Sequence, residues 1–271
     1  MTLTRREIVD LLAQHDLRQR RALGQNFVVD PNTVRRIARL AGVGAGDRVI
    51  EIGAGLGSLT LALAETGASV TAVETDPRLV PVLRGIVEPV GVTVVEGDAR
   101  RLDWGELLGP HRWALVANLP YNVATPLVLD LLEQVPAIER MLVMVQREVG
   151  ERLAAHVGDE GYGAVSVKVA YWATATVVGS VPATVFVPRP NVESALVRVD
   201  RRSAAAVDPS IERRRLFALI EQGFNQRRKM LRRSLAGTVD PDAFASADIR
   251  PEARAEELTI EDWGRLAACD G

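Results

Sequence analysis

A doubly wound, largely parallel α/β sheet followed by a smaller helical domain is the fold that this 271-residue sequence predicts. Runs rich in Val and Ile without strict alternation are the mark of strands buried on both faces. From Asp47 onward such runs alternate with helical stretches, as parallel strands joined by crossovers require. After Asp200 the strand signal stops and the chain is helical by composition. With 47% hydrophobic and 25% charged residues, disorder and coiled coil are excluded as the main architecture.

The elements follow in order. A short amphipathic helix carries Ile8, Leu11 and Leu12, a loop covers 22–30, and Asp30 caps a helix whose first turn holds Pro31. Strands are expected at 48–52, 69–73, 92–95, 113–117 and 141–145, with helices at 58–65, 78–87 and 124–134. A helix over 164–172 precedes two strands, 176–181 and 194–199, that close the sheet as a hairpin-like edge. The stretch 201–210 reads as a linker, which places the domains at 1–202 and 203–271. One cysteine, Cys269, allows no intrachain disulfide and no cysteine-based metal cluster. His15, His111 and His156 lack ligand spacing, so no metal is expected. The start of the chain lacks a signal-peptide apolar stretch, and the uncharged run 169–188 is broken by Gly179, Ser180 and Pro182. A cytoplasmic protein without membrane contact is the expectation.

Chemistry concentrates at the strand ends. The first strand runs into Glu51-Ile-Gly-Ala-Gly-Leu-Gly57-Ser58, with glycines at Gly53, Gly55 and Gly57. Glycine serves where a strand turns sharply into a helix and where backbone must approach a ligand. A dinucleotide loop, G-x-G-x-x-G, would need its third glycine where Ser58 stands. The spacing therefore fits a nucleoside carried without pyrophosphate. Glu74 closes the second strand, where an acid accepts hydrogen bonds from ribose hydroxyls, and Asp98 follows the third, placed to accept from an adenine amine. Singly these residues are also a helix cap and surface acids; their common register at successive strand ends points to S-adenosylmethionine. The fourth strand ends in Asn118-Leu119-Pro120-Tyr121. The N6 lone pair of adenine is delocalised into the ring, so a methylating site must localise it. An Asn carbonyl and the backbone carbonyl before a proline can accept both N6 protons while a Tyr ring stacks on the base. An isolated N-L-P-Y is equally a strand-terminating turn with a core tyrosine.

A net charge of −2 conceals a segregation. Between positions 213 and 233 lie eight basic residues against Glu221 alone, and between 238 and 262 lie eight acids against Arg250 and Arg254. Arg227, Arg228 and Lys229, taken as one helical face, are the candidate contacts to RNA phosphate; a solvated face, or pairing with those acids, is the alternative.

The stretches 23–30 (LGQNFVVD), 51–57 (EIGAGLG), 118–121 (NLPY), 145–149 (VQREV) with Arg152, Tyr162-Gly163, F-x-P-x-P-x-V from Phe186 to Val192, and 226–229 (QRRK) together resemble the ribosomal RNA adenine N6,N6-dimethyltransferase family, in order, from about residue 18 to about residue 236. The resemblance implies a Rossmann-like class I methyltransferase sheet with a smaller C-terminal helical domain. It implies dimethylation of two adjacent adenines in the 3′-terminal hairpin of small-subunit rRNA, on a nearly assembled small subunit, by a monomer. Asn26, Val28, Gly53, Glu74, Asp98 and Asn118 would contact the cofactor, and Phe186 would face Tyr121 across a flipped adenine, a core aromatic on a short loop being the alternative for Phe186. Val28 stands where relatives commonly have leucine. Gln146, Arg147 and Glu148 are expected to support the fold behind the site. Two other functions remain open on the sequence: a large-subunit rRNA adenine methylase of the macrolide-resistance type, against which the FNQRRKML stretch of 224–231 argues, and a non-catalytic RNA-binding assembly factor, against which intact Gly53, Glu74, Asp98 and Asn118 argue.

Overall fold

The computed structural model describes residues 2–17 and 24–269; Leu23 of the LGQNFVVD stretch lies outside them. In chain order the elements are α1 (Arg5–Gln14), β1 (Phe27–Val28), α2 (Pro31–Ala41), β2 (Arg48–Ile52), α3 (Ser58–Ala64), β3 (Ser69–Glu74), α4 (Val80–Val87), β4 (Thr93–Glu96), α5 (Trp104–Leu108), β5 (Trp113–Asn118), α6 (Ala124–Gln134), β6 (Ile138–Gln146), α7 (Arg147–Ala154), α8 (Ala164–Trp172), β7 (Ala173–Val181), β8 (Phe186–Val187), β9 (Ser194–Arg201), α9 (Arg213–Asn225), α10 (Leu231–Ser234), α11 (Pro241–Ser246) and α12 (Ile260–Cys269). They form two compact units: Met1–Gly150 with Thr176–Asp200, and Glu151–Ala175 with Arg201–Gly271.

The first unit is built on a seven-stranded sheet in the order β4-β3-β2-β5-β6-β9-β7. Strands β4, β3, β2, β5 and β6 are parallel, and β9 runs antiparallel to β6. The last strand of the chain thus inserts beside β6, and β7 takes the edge. Their near-continuous apolar sequences suit this placement, since Val49, Val116, Leu142 and Leu196 are buried against Ile37 of α2 and Leu63 of α3. The start of α2 follows the expected chemistry: the Asp30 carboxylate accepts from Thr33 N at 2.8 Å, Pro31 occupies the first turn, and Gly42 ends the helix in the left-handed conformation. Strand order reverses between β2 and β5, and the crevice beyond their carboxyl ends is where open α/β sheets bind ligands. A small antiparallel pair, β1 with β8, sets Val28 opposite Phe186.

The second unit is helical around Trp263, which is fully buried, with Leu216, Ile220, Leu231 and Leu266. Its composition differs from a single cut near residue 202, because α8 buries Val167 and Tyr171 in this helical core rather than against the sheet. Tyr162 belongs here too. Its hydroxyl donates to Leu258 O at 2.7 Å and its ring meets Phe224 edge-on at 6.1 Å, which gives the Tyr162-Gly163 motif a structural role. Gly223 lets α9 approach the indole: a Cβ added there would fall 2.5 Å from Trp263 Cη2. Gly223→Ala should lower stability by about 1–3 kcal/mol through overpacking, although alanine favours a helix interior by about 1 kcal/mol. A fall in Tm by calorimetry is the expected outcome, and an unchanged or higher Tm would show that the Trp263 ring can yield.

Candidate active site

The glycine loop after β2 folds over the end of β3, with Gly53 N and Ala54 N both donating to Val73 O at 2.9 and 3.1 Å. Gly53, Gly55 and Gly57 all have positive φ (76°, 60° and 85°), which L side chains rarely adopt. Their surroundings differ. Gly53 and Gly55 line a cavity together with Glu51, Glu74, Asn26 and Asn118. Gly57 does not: a Cβ there would meet Val87 Cγ1 at 2.7 Å and Leu83 Cδ1 at 3.0 Å, so this glycine seats α4 against the loop instead of approaching a ligand.

Glu74 ends β3 almost fully buried, and both carboxylate oxygens are engaged by backbone. Oε2 accepts from Gly55 N at 2.7 Å and Oε1 from Asp76 N at 2.8 Å. Burial pushes this carboxyl up, against the pull of those N–H groups. Asp76 itself is held well down, to about 2, chiefly by the Arg78 guanidinium, and it also accepts from Gln25 Nε2 at 3.0 Å. Gln25 precedes Asn26, so this bond holds the 24–28 loop to the end of β3. Val28 lines the cavity from the same loop. Asp98 behaves differently from the expectation. Its oxygens accept from the Arg100 guanidinium and from Arg100 N, both at 3.0 Å, which lowers its pKa, and it is not part of the lining that holds Glu74.

At the end of β5 the Asn118 amide nitrogen donates to Asn26 O at 2.9 Å. That bond fixes the amide plane and leaves Oδ1 as an acceptor. Leu119 is buried and its N donates to Met144 O at 3.0 Å, which anchors the turn to β6, while Pro120 lines the cavity. Tyr121 is half-buried, with its hydroxyl 3.0 Å from Ser194 Oγ; burial raises its pKa. Ser194 opposes Gln146 across the β6–β9 pair, and Arg147 N donates to Glu193 O at 3.0 Å, so Gln146 and Arg147 secure the strand that carries Ser194. Phe186 is only 1% exposed and packs in the sheet core, because pairing of β8 with β1 turns its ring inward. Phe186 is thus a core aromatic on a short loop, not a ring open to a base opposite Tyr121.

Sequence reasoning quoted Glu51 only as the start of the loop motif. The structure places it in the lining, 2% exposed, with Oε2 lacking any hydrogen-bond partner among the described residues. The available signal was an acid between Ile50 and Ile52 in a strand otherwise built for burial.

In the helical unit, Arg227, Arg228 and Lys229 lie on the turn after α9, not on a helical face, because Gln226 ends that helix. Arg227 pairs with Glu256 at 2.6 Å and donates to Glu160 O at 3.3 Å. Arg228 and Lys229 are exposed and form no ion pair among the described residues.

A family model described as ribosomal RNA adenine dimethylase matches residues 16–269. The ribosomal RNA small subunit methyltransferase A of Thermobifida fusca (strain YX) is 48% identical over 276 residues, spanning 98% of this chain and 95% of that protein. The protein of the same name from Corynebacterium jeikeium (strain K411) is 44% identical over 296 residues, with 97% and 94% covered. Among solved structures, a dimethyladenosine transferase from Plasmodium falciparum superposes with a TM-score of 0.75 at 24% identity, over 88% of this chain and 94% of that one. The 23S rRNA methyltransferase ErmE gives 0.69 at 27% identity, over 90% and 99%. The fold is thus the class I methyltransferase α/β fold, and the chain belongs to the ribosomal RNA adenine dimethylase family.

Proposed function

We propose that this chain transfers methyl groups from S-adenosylmethionine to N6 of two adjacent adenines in the 3′-terminal hairpin of small-subunit rRNA, acting as a cytoplasmic monomer on a nearly assembled small subunit. The observation that carries the reading is the Asn118 amide, oriented by Asn26 O at the mouth of a cavity floored by a glycine loop and two buried acids. The residues fit the cofactor: Gly53 and Gly55 open the backbone to it, Glu74 offers pre-oriented oxygens to a ribose diol, and the unpartnered Glu51 Oε2 awaits a donor. Bound there, S-adenosylmethionine supplies an electrophilic methyl group on sulfur. Asn118 Oδ1 and the Leu119 carbonyl accept the two N6 protons and localise the nitrogen lone pair. The Tyr121 ring, steadied through Ser194, stacks on the base.

The small-subunit substrate is favoured over the large-subunit one by identity of 44–48% over nearly the whole chain to proteins named for the former, against 27% to a 23S rRNA methyltransferase. A non-catalytic role gains no support from a site whose Glu74 and Asn118 are both held in place. No helix among the described residues is long and apolar enough to cross a membrane.

Three outcomes are expected. Asn118→Ala should lower single-turnover methylation at saturating cofactor by about 100-fold or more, and a near-normal rate would remove Asn118 from N6 activation. Glu74→Gln places an N–H donor against Gly55 N or Asp76 N, and should weaken cofactor binding by about 1.5–3 kcal/mol in calorimetric titration. Arg228→Ala combined with Lys229→Ala should shrink the log–log salt slope of binding to unmethylated small subunits by about two units. A line parallel to wild type would place RNA docking elsewhere. Arg227 is left out of that test, because its bond to Glu256 makes its loss a stability effect.

A further inference from the structure

The burial of Phe186 leaves the remainder of the F-x-P-x-P-x-V stretch without a role in the site. Its exposed residues line a groove within the first unit, formed by Pro182 and Thr184 on one side and by Arg189, Asn191, Val192 and Glu193 on the other. The chain of the first side is held from three elements: Arg36 Nη1 donates to Ser180 O at 2.9 Å, Arg5 Nη2 to Thr184 O at 3.1 Å, and Val29 N to Val185 O at 2.8 Å. The second side carries Pro188 and Pro190, whose rings fix φ on either side of Arg189. The groove is therefore a preset surface.

Its charge is unbalanced. The lining holds one cation and one carboxylate, and the carboxylate is already engaged: Glu193 Oε2 lies 3.3 Å from Arg147 Nη2. Arg189 is exposed and forms no ion pair or hydrogen bond among the described residues. A free guanidinium, with the Asn191 amide, the Thr184 hydroxyl and the exposed apolar Val192 beside it, suits a phosphate carried on a sugar, because its planar donors match phosphate oxygens two at a time. The place is equally specific. Glu193 is followed by Ser194, whose Oγ lies 3.0 Å from the Tyr121 hydroxyl. Arg189 stands five residues before Ser194, at most about 17 Å along an extended chain.

A base taken out of its stack brings its sugar and phosphates with it, and these must be held while N6 is aligned. We propose that the 182–193 groove binds the single-stranded RNA backbone beside the target adenine and that Arg189 pairs with a phosphate there, which makes Arg189 a positioning residue for methylation. The inference rests on the reading of Asn118 to Tyr121 as the adenine site. It is distinct from docking at Arg228 and Lys229, which belong to the helical unit and act on affinity for the subunit. One phosphate contact adds little to the affinity of a large interface, but at the reacting nucleotide it fixes register and orientation.

The test compares the full chain with Arg189→Ala, Arg189→Gln and Arg189→Lys on unmethylated small subunits at saturating cofactor. Arg189→Ala should lower single-turnover methylation at saturating subunit about tenfold or more, with Tm and S-adenosylhomocysteine affinity unchanged. Arg189→Lys should recover most of the rate and Arg189→Gln none of it. The log–log salt slope of kcat/KM should shrink in Arg189→Ala by about 0.7, the value for one single-strand phosphate. A wild-type rate in Arg189→Ala, or equal rescue by Gln and Lys, would overturn the proposal while leaving the adenine-site reading intact. A slow rate accompanied by a lower Tm or weaker cofactor binding would also overturn it, in favour of a structural role. A slow rate with a salt line parallel to wild type would overturn it in favour of contact with a protein of the subunit. Failure of the wild-type chain to methylate small subunits would overturn the adenine-site reading and the proposal with it.

Discussion

The two hydrogen bonds accepted by the Glu74 carboxylate hold the site together, because they add a side-chain tie between the loop after β2 and the segment beyond β3 to the backbone bonds that Gly53 and Ala54 make with Val73. One oxygen fixes Gly55 in the loop after β2; the other fixes Asp76 beyond β3. Asp76 in turn holds Gln25, the neighbouring Asn26 carbonyl receives the Asn118 amide, and the glycine loop, the 24–28 loop and the end of β5 become one connected frame. A charge at this depth is tolerable because backbone donors replace water around it. The adjacent Glu51 has no backbone donor on Oε2, and burial pushes its carboxyl up to about 8.

Much of this was legible in the sequence. Buried parallel strands announce themselves by runs rich in Val and Ile, which is why β2 falls where pattern puts it, and why Glu74 and Asn118 could be read as strand-end residues. The glycine loop was recognisable, but not the division of labour within it. The need for glycine at 57 comes from Val87 and Leu83, about 26 to 30 positions away, and spacing carries no trace of a tertiary contact. Asp98 shares the strand-end register of Glu74, yet Arg100, two residues on, engages it through the local turn. The resemblance sets Phe186 opposite Tyr121, but a two-residue pairing with the 24–28 loop, too short to show in any period, buries it.

The basic stretch of the helical unit shows the same limit in electrostatic form. Eight cations within 213–233 suggest one positive face, but the acids that follow return to neutralise some of them, Arg227 through Glu256 and Arg232 through Glu252. What stays available at the QRRK turn is Arg228 and Lys229. Charge segregation along a chain is thus a statement about folding partners as much as about ligands.

The discontinuous make-up of the helical unit bears on the order in which the chain is made. Residues 151–175 leave the synthesis machinery before the 201–271 segment that completes their core, and strands β7 and β9 are produced in between. Until α9 and α12 emerge, Val167 and Tyr171 of α8 have no apolar partners from the later segment, although every strand of the sheet has been made by residue 201. The helical unit is thus begun before the sheet is complete and closed after it, when α12 brings Trp263 and Leu266 to a core whose first helix ended at residue 172.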